Sequence, residues 1–527
     1  MATPEPPSDG RLAALLGAFT YASDLAFGLR FEDGLRACYI AMRLARELNL
    51  SADEQSTVYY TALLKDAGCT CWTSQLAEFW QGEEVEARKE LLLYGAGSDI
   101  RRFGPWMLRH VGTELSAPAK VARMGQVAFK LKGHLSEGFA TVCEVNARIA
   151  RRLDMTEEVQ LAIQAMFERW DGKGVPLGLQ HEQTPIAARI IAGCFYFVPI
   201  KDMDGRDAAR RFATESRGTL FDPAVVDAFL RVSEEPTFWD EVEDPAIWER
   251  VLALEPARAR LLPGDAYLDD VANAFADFID LKSPHTAAHS RRVAGLAASL
   301  ADAMGCGQTD QDWVRRAALM HDLGLVAVPS FTLGRPDSVL ATTEREQLRL
   351  HPYHGERVLA RVPQLAPAAE LVAAHHERLD GNGYYRGLKG AAIPLGARII
   401  AVADGFDEAT HERPGVPAIS ADAALTRLEM QSGVAFDPVV VQALRACIDE
   451  TGGRRAPKRQ AWPAGLTERE VEVLRLAARG LTRKQIGTQL VITEVTVRHH
   501  LEHIYNKTNT ASRVAATLFA MENGLLT

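Results

Sequence analysis

The sequence predicts an all-α protein with two similar helical domains in tandem and a small helix-turn-helix bundle at the C-terminus. Apolar residues recur three and four positions apart in segments such as "GLRACYIAMRLARELNL" (34–50) and "LAASLADAMG" (296–305), a spacing typical of amphipathic helices. The sequence contains no long stretch with the alternating pattern of strands. Much of the chain occurs twice, and 527 residues are sufficient for about three domains.

The repeat defines the order of the domains. Residues 37–49 align with 293–305 at a shift of 256 positions, and residues 142–153 align with 351–362 at a shift of 209. The first copy therefore contains 47 additional residues between about 69 and 140, for which packing, a ligand pocket and a dimer surface are alternative roles. The predicted boundaries are 11–232 for the first domain, 233–262 for a helical connector, 263–450 for the second domain, 451–464 for a linker and 465–527 for the bundle.

Charge is distributed unevenly along the chain. The net charge is −10, yet the segment from Arg454 to the end has twelve Lys and Arg against six Asp and Glu. A basic C-terminal segment on an acidic chain predicts that this segment alone binds a polyanion. No apolar run approaches the roughly 18 residues of a membrane span, and "MATPEPPSDG" lacks the features of a signal peptide, so we expect a cytoplasmic protein without a membrane partner.

The second copy contains histidines and aspartates suited to metal binding. Imidazole and carboxylate groups bind iron, manganese and similar divalent ions, and one aspartate is able to bridge two ions. The pair His321-Asp322 ends the apolar segment "VRRAALMHD", His289 starts a helix, and Asp404 ends "ARIIAVAD". Ligands from separate elements would thus converge on one cavity, an arrangement that suits hydrolysis of a phosphoester.

A histidine followed by His-Asp and a distant Asp resembles the HD phosphohydrolase superfamily. The likeness spans residues 285–450. The residues that resemble its HD-GYP branch are His351-Pro352, His375-His376-Glu377, Asp380-Gly381 and Gly383-Tyr384.

This resemblance implies an HD-type helical fold and a phosphohydrolase of the phosphodiesterase type. It implies two or three divalent metal ions, with iron or manganese favoured, and catalytic roles for His321 and Asp322, the latter as the bridging ligand. A phosphoester or nucleotide is the implied substrate. The implied metal ligands are His289, His321, Asp322, His351, His375, His376 and Asp404.

Three positions depart from the HD-GYP pattern. Leu325 replaces the lysine after "HDxG", Tyr385 replaces the proline that closes Gly-Tyr-Pro, and "RPGV" at 413–416 replaces an Arg-Pro-Tyr-Arg segment that helps to hold substrate. Two lost cations beside a dianionic substrate remove charge-assisted contacts of about 1.5–3 kcal/mol each, which argues against cyclic di-GMP itself. His285, four residues before His289, is either a further ligand or a solvated histidine.

The first copy retains a loop of the second copy but lacks its ligands. The sequence "MFERWDGKGVPLGL" (166–179) aligns with "HHERLDGNGYYRGL" (375–388). A lysine at a ligand position repels a cation, and Val, Met and Phe have no strong donor. We therefore expect a degenerate domain that binds no dinuclear centre and serves packing, sensing or regulation. The aligned positions are Asp33, Lys65, Val142, Met166, Phe167 and Phe195, and only Asp66 is kept from the ligand set.

The C-terminal segment has the pattern of a helix-turn-helix. Thr467 lies three residues before Glu470, which predicts a capping box at the start of an amphipathic helix that Gly480 ends. Thr482 is placed to cap "RKQIGTQL", and a turn at 492–493 precedes a polar helix, "EVTVRHHLEHIYNKT". In helix-turn-helix proteins this second helix enters the major groove.

Residues 466–526 resemble the LuxR-type DNA-binding domain. The resemblance implies double-stranded DNA as a partner and a homodimer that reads two half-sites. Val497 and Leu501 are expected in the core. The residues expected to face DNA are Thr493, Thr496, Arg498 and His499, with Lys484 and Lys507 at phosphates.

Two functions remain open from the sequence. In the first, the chain is a DNA-binding transcriptional regulator whose second domain hydrolyses a phosphoester with metal ions. In the second, it is a ligand-gated transcription factor whose metal site binds metal or nucleotide without turnover. In a third alternative, both copies are helical scaffolds around a constitutive DNA-binding domain. Metal analysis distinguishes this alternative from the other two, because replacing His321 and Asp322 would then leave the metal content unchanged.

Overall fold

The computed structural model describes residues 11–95, 100–256, 264–452 and 461–526. These residues form α-helices and short 3-10 turns, contain no β-strand, and are 71% helical. The predicted all-α class is confirmed. Within the described ranges, every helix is too short or too polar to cross a lipid bilayer.

Two compact units divide the chain, Met1–Tyr267 and Leu268–Thr527. The first unit contains thirteen described helices: α1 (Leu12–Phe27), α2 (Asp33–Glu47), α3 (Ala52–Leu64), α4 (Thr73–Trp80), α5 (Val85–Gly95), α6 (Ile100–His110), α7 (Ala117–Arg152), α8 (Glu157–Gln164), α9 (Ile186–Asp204), α10 (Arg206–Glu215), α11 (Pro223–Val232), α12 (Phe238–Val242) and α13 (Ile247–Ala253).

Helix α2 lies at the centre of the first unit, where it packs against α3, α9, α11 and α13. The predicted connector 233–262 is described as far as residue 256 and belongs to this core. Its side chains Phe238, Trp239 and Trp248 are buried, and the Tyr59 hydroxyl donates to the Val251 carbonyl oxygen at 3.0 Å. This segment therefore completes the first unit instead of extending from it.

The additional residues of the first copy form a helical layer that includes α4, α5 and α6. Trp106 is fully buried, packs edge-on against Trp80 at 5.4 Å, and donates from Nε1 to the Ala87 carbonyl oxygen at 2.9 Å. Helix α7 then continues for 36 residues without a break, from this layer into the aligned part of the copy. The "FGPWMLRHV" segment thus contributes to packing.

The second unit begins within α14. Its described helices are α14 (Gly264–Asp280), α15 (His289–Ala303), α16 (Gln308–Met320), α17 (Ser330–Leu333), α18 (Thr342–Arg349), α19 (His351–Leu359), α20 (Ala366–Ala374), α21 (Leu395–Thr410), α22 (Ala421–Glu429), α23 (Pro438–Gly452), α24 (Glu468–Ala478), α25 (Arg483–Leu490), α26 (Glu494–Thr508) and α27 (Arg513–Glu522).

Helix α15 packs against α16 and α21, and α19 packs against α20 and the 3-10 turn Leu323–Ala327. This turn approaches α19 so closely that only glycine fits at position 324. A Cβ atom on Gly324 would lie 1.9 Å from the His351 carbonyl oxygen. The glycine therefore brings the His321-Asp322 segment next to His351.

Helices α24–α27 form a small module around its own apolar core, which includes Val471, Ile486, Val497 and Ile504. The predicted capping box at Thr467 and the predicted cap at Thr482 are present, because Thr467 accepts from the Glu470 amide and Thr482 accepts from the Gln485 amide. Leu501 packs partly buried against this core. Most of the predicted linker 451–464 lies outside the described residues.

Gly324→Ala is expected to lower the free energy of unfolding by about 1–3 kcal/mol or more, because the new methyl group has to displace backbone atoms. Urea unfolding of the full chain measures the change. Gly295→Ala is the matched control, since a Cβ atom at this position in α15 meets nothing within 4 Å and alanine favours the helix. Equal stability of the two variants would contradict the close approach.

Candidate metal centre and nucleic-acid interface

The seven ligands predicted in the second copy lie together in the structure. They form two groups whose ligand atoms lie within 4.8 Å of one another. The first group is Asp322, His351, His375 and His376, and the second is His289, His321 and Asp404. The spatial convergence expected from the sequence is therefore present, while the assignment of each side chain as a ligand stays a prediction.

Helix ends deliver most of these side chains. His289 is the first residue of α15, His321 follows the last residue of α16, His351 begins α19, and His375 follows α20. Asp404 projects from within α21, where it is only 5% exposed. Five helices thus bring their side chains to one buried point.

Backbone carbonyl groups orient three of the imidazoles in the same way. The Nδ1 atoms of His321, His351 and His375 each lie 2.7 Å from the carbonyl oxygen three residues earlier. Because a carbonyl oxygen only accepts, each Nδ1 carries the proton and each Nε2 presents a lone pair in the neutral ring. This is the tautomer that binds a metal ion through Nε2.

The resulting lone pairs face each other without a proton between them. His351 Nε2 lies 3.1 Å from His375 Nε2, and the buried Nε2 of His321 makes no hydrogen bond. Two nitrogen ligands at right angles on one ion, each about 2.1 Å from it, are separated by about 3 Å. A divalent cation therefore fits this donor set, and without a cation the facing nitrogens of His351 and His375 would have no proton between them.

The carboxylate of Asp407, which is not among the residues predicted from the sequence, orients His289. The Nδ1 atom of His289 lies 2.8 Å from Asp407 Oδ2, and Arg292 holds both oxygens of Asp407 at 2.8 and 3.0 Å. A carboxylate behind a metal-binding histidine fixes the ring and raises its basicity. Its position one helical turn after Asp404 on α21 was the available sequence signal.

Electrostatics divide the histidines into two classes. Burial, followed by the charge of His351, lowers the pKa of His376 to about 3, and burial lowers the pKa of His375 well below its ordinary value. By contrast, burial is outweighed at His321, where Asp322 and Asp404 raise the pKa to about 9. Protons on the histidines beside the carboxylates occupy the place that a cation would take, and metal binding would release them.

The carboxylates respond to the same contacts. Burial opposes ionisation of Asp322 and Asp404, yet the neighbouring His321 and His289 hold both pKa values below the ordinary range. His289 Nε2 lies 3.5 Å from Asp322 and 3.4 Å from Asp404. Both aspartates are therefore anionic and able to bind cations.

A cavity of about 670 Å³ opens onto these groups. Its wall includes the ligand candidates His289, Asp322, His351, His376 and Asp404. Leu325 also lines it, at the position where the HD-GYP pattern has lysine. His285 lines the cavity from the 3-10 turn Pro284–Thr286. It does not lie one helical turn before His289, because Ala288 has a left-handed backbone conformation and α15 starts after it. The cavity has the size of a site for a small molecule.

The loop shared by both copies makes the same hydrogen bonds in each unit. Glu168 accepts from the amides of Leu177 and Gly178 at 2.6 and 3.1 Å. Glu377 accepts from the amides of Arg386 and Gly387 at 2.8 and 3.0 Å. Each loop also has an arginine that forms a two-bond ion pair with its aspartate two residues later. These residues stabilise the loop itself, which supports the interpretation of the chain as a duplication.

In the first unit, a lysine occupies the position that aligns with His321. Lys65 forms a buried ion pair with Asp66, and its ammonium nitrogen lies 4.9 Å from the centre of the Phe195 ring. Phe195 stacks on Phe167 at 5.2 Å, and Met166 is also buried. Asp33 is buried beside Arg36, while Val142 lies on α7. The residues described in this unit include no group of three potential metal ligands within 4.8 Å.

Helix α26 presents the predicted DNA-contacting side chains. Thr493 caps the helix by accepting from the Thr496 amide at 3.2 Å, and Val497 faces the core. Arg498 and His499 are more than half exposed and lie 3.5 and 3.3 Å from Glu502. These contacts are weak enough to be exchanged for contacts with DNA.

The two predicted phosphate contacts differ from each other. Lys484 is exposed at the start of α25 and forms no ion pair within the part of the chain that the structure describes. Lys507, in contrast, donates to Glu470 Oε2 at 2.7 Å, and Glu470 is 3% exposed. Lys507 therefore neutralises a buried carboxylate of the capping box, which competes with a phosphate contact.

Comparison with known proteins identifies both parts. The HD domain model matches residues 273–440, and the model for bacterial regulatory proteins of the luxR family matches residues 464–520. The 3'3'-cGAMP-specific phosphodiesterase 3 of Vibrio cholerae is 31% identical over 439 residues, which cover 83% of this chain and 95% of the relative. The chain belongs to the HD-domain phosphodiesterase family. It combines an HD phosphodiesterase domain with a LuxR-type DNA-binding domain.

Further relatives of this HD-domain phosphodiesterase agree with the assignment. A crystal structure of the cyclic GMP-AMP specific phosphodiesterase V-cGAP3 of V. cholerae matches with a TM-score of 0.58 and 28% identity, over 84% of this chain and 98% of that chain. A cyclic di-GMP phosphodiesterase of Thermotoga maritima is 35% identical over 176 residues, which cover 33% of this chain and 47% of the relative. The 439-residue match is longer than the second unit, so it also includes part of the first.

Lys65→Met is expected to lower the free energy of unfolding by about 3–5 kcal/mol, because it leaves the Asp66 carboxylate buried without its cation. Chemical denaturation measures the change. Lys173→Met is the control, since Lys173 is 79% exposed and pairs with Asp171 at 3.6 Å, and a change of less than about 1 kcal/mol is expected. Adding Asp66→Asn to Lys65→Met should recover part of the loss, and no recovery would show that the ion pair is not the cause.

Lys484→Ala is expected to lower the slope of log affinity against log salt by about 1, because one phosphate contact is lost. Fluorescence anisotropy of a labelled DNA duplex at several salt concentrations measures the slope. Lys507→Ala should change the slope less and lower the melting temperature more, because it removes the partner of Glu470. Equal slopes for the two variants would contradict this difference.

Proposed function

We propose that this chain is a transcriptional regulator whose second unit hydrolyses the phosphodiester bond of a cyclic dinucleotide in a metal-dependent reaction. The observation that supports this most directly is the convergence of seven imidazole and carboxylate groups, five of them buried, with the unpaired Nε2 atom of His321 among them. This set opens into a cavity large enough for a nucleotide ligand. The relatives add the chemical class, since 3'3'-cGAMP and cyclic di-GMP phosphodiesterases are both similar to this chain.

We further propose two divalent ions, iron or manganese, one for each donor group. When bound, the ions would activate a water molecule and stabilise negative charge on the phosphoryl oxygens. Asp322 is the proposed bridge, because its Oδ1 lies 3.4 Å from His351 Nε2 and its Oδ2 lies 3.5 Å from His321 and His289 Nε2. His321 and Asp322 are the proposed catalytic residues.

The protein's own groups would position the reaction. Asp407 and Arg292 hold the His289 ring in place, and the backbone carbonyl groups hold His321, His351 and His375, so little reorganisation is needed when ligands bind. Tyr384 lies against His376, with 4.8 Å between the ring centres, and forms an aromatic wall of the cavity. A base of the substrate would stack on such a wall, while the buried ligands keep bulk water away from the reacting bond.

Among cyclic dinucleotides, the substrate does not have to be cyclic di-GMP. Leu325 removes a cation that the HD-GYP pattern has, and "RPGV" at 413–416 keeps only one arginine of its segment. A relative that covers most of both chains is named for 3'3'-cGAMP. We therefore propose a cyclic dinucleotide with at least one adenine as the first substrate to test.

A second candidate function is supported by a contact within the second unit. A Cβ atom on Gly480, at the end of α24, would lie 3.0 Å from Pro284 Cβ. Pro284 belongs to the 3-10 turn Pro284–Thr286, and His285 and Thr286 of this turn line the cavity together with the preceding residue, Ser283. A ligand that shifts this turn would shift its contact with the DNA-binding module, so a nucleotide would be able to regulate DNA affinity with or without turnover.

DNA binding completes the proposal. The LuxR-type module exposes the start of α26, and one such module offers a small interface, so we propose that two chains bind two half-sites as a homodimer. The proposed contacts are those predicted from the sequence at Thr493, Thr496, Arg498, His499 and Lys484, whereas the predicted phosphate contact at Lys507 competes with its ion pair to Glu470.

The test uses the purified full chain loaded with Mn²⁺ or Fe²⁺. Elemental analysis and product analysis are made with 3'3'-cGAMP, cyclic di-GMP and bis(p-nitrophenyl) phosphate. Asp322→Asn and His375→Ala are expected to lower both bound metal and kcat, the latter by about 100-fold or more. His354→Ala is the matched control, because His354 lies on α19 beside His351 but belongs to neither donor group.

Unchanged metal content in Asp322→Asn and His375→Ala would refute the metal centre. If the protein binds metal but hydrolyses none of the three compounds, the proposed phosphodiesterase activity is refuted. The ligand-gated regulator then remains as the candidate function. DNA affinity measured with and without 3'3'-cGAMP then decides whether that second function holds.

A further inference from the structure

The cavity wall contains five arginines, and they differ in their partners. Arg292 is bound by Asp407, Arg335 by Glu344 at 2.9 Å, and Arg413 by Glu408 at 2.5 Å. Arg345 and Arg349, both on α18, have no carboxylate within 3.5 Å among the residues that the structure describes. Their positive charges are therefore available to a bound anion.

Arg349 is placed next to the metal centre by an aromatic ring. Its guanidinium carbon lies 5.0 Å from the centre of the Tyr384 ring, and the Tyr384 ring lies 4.8 Å from the His376 ring. Its nearest carboxylate is that of Glu346 at 3.9 Å, and both side chains are at least half exposed. One aromatic ring thus separates this cation from the proposed metal ligands.

Arg345 is held in place by a neutral group. Its Nε and Nη2 donate to the Asp337 carbonyl oxygen at 3.3 and 3.1 Å, and the remaining guanidinium nitrogen, Nη1, makes no hydrogen bond to any residue that the structure describes. A carbonyl oxygen orients the guanidinium but does not neutralise its charge. Arg345 therefore remains a cation on the cavity wall.

The two arginines lie four residues apart on one helix, so they share a face. Like charges at this spacing repel each other and destabilise the helix, and an anion bound between them removes the repulsion. A solvated surface position would explain one such arginine, but both line the same cavity as the metal centre. The pair faces a cavity whose expected lysine is replaced by Leu325.

We propose that Arg345 and Arg349 bind the second phosphate of the substrate, the one that is not cleaved. The proposal rests on the proposed function, because it assigns a second phosphate to a compound held at the metal centre. The substrate class that follows is a dinucleotide with two phosphodiester groups. A compound with a single phosphate would reach the metal centre but not the arginine pair.

The test compares Arg345→Gln and Arg349→Gln with the parent chain, all loaded with Mn²⁺. The ratio of kcat/KM for 3'3'-cGAMP to kcat/KM for bis(p-nitrophenyl) phosphate is expected to fall about tenfold for each variant, through KM and not kcat. Arg349→Lys should lose less than Arg349→Gln, because the charge is kept. Arg427→Gln on α22 is the control for loss of one positive charge and should change the ratio less than twofold.

An unchanged ratio in both glutamine variants would overturn the proposal while leaving the hydrolysis itself established. If the parent chain cleaves neither compound, the proposed function fails, and calorimetry with metal-loaded protein decides the inference separately. In this calorimetry, tighter binding of 3'3'-cGAMP than of GMP, by a ratio that falls about tenfold in the variants, supports the proposal. No such preference in the parent chain overturns it.

Discussion

Both halves of this protein depend on the need of a buried carboxylate for a cation. In the second unit, Asp322 and Asp404 are buried among imidazoles whose lone pairs also face inward, and a set of this kind is stable only with positive charge at its centre. In the first unit, Asp66 is buried as well, and the Lys65 ammonium lies beside it. We propose that the second unit takes this charge from solution, whereas at the position aligned with His321 the first unit has Lys65, whose ammonium group supplies the charge from the chain.

The repeated loop explains how such a substitution is tolerated. Glu168 and Glu377 accept the same pair of backbone amides, and the adjacent arginine and aspartate pair in both loops. These bonds do not involve the imidazole positions, so the backbone keeps its course when Met166 and Phe167 stand where His375 and His376 stand in the other copy. The fold of this loop is therefore maintained both with and without the imidazole side chains.

Local signals in the sequence were sufficient for much of the architecture. A capping box at Thr467 and a cap at Thr482 predicted the starts of two helices, and helix-end positions predicted that the histidines would meet. Pairing between side chains distant in sequence was not predictable in this way. Asp407 orients His289 through a contact with Nδ1 that no local pattern indicates. Similarly, the sequence predicted that Glu470 takes part in a capping box, but not that its carboxylate also accepts a hydrogen bond from Lys507. The packing of residues 233–256 into the first unit was also not predictable from that segment alone, because it depends on the surface of α2 that faces it.

The contact between Pro284 and Gly480, through which we propose that a nucleotide regulates DNA affinity, has a consequence for the direction of control. Coupling between two binding sites is reciprocal, so any factor by which a nucleotide changes affinity for an operator is also the factor by which the operator changes affinity for the nucleotide. Chains on a promoter and chains free of it would then retain nucleotide to different extents. The chromosome would act as an effector of nucleotide retention, in addition to being the target of regulation.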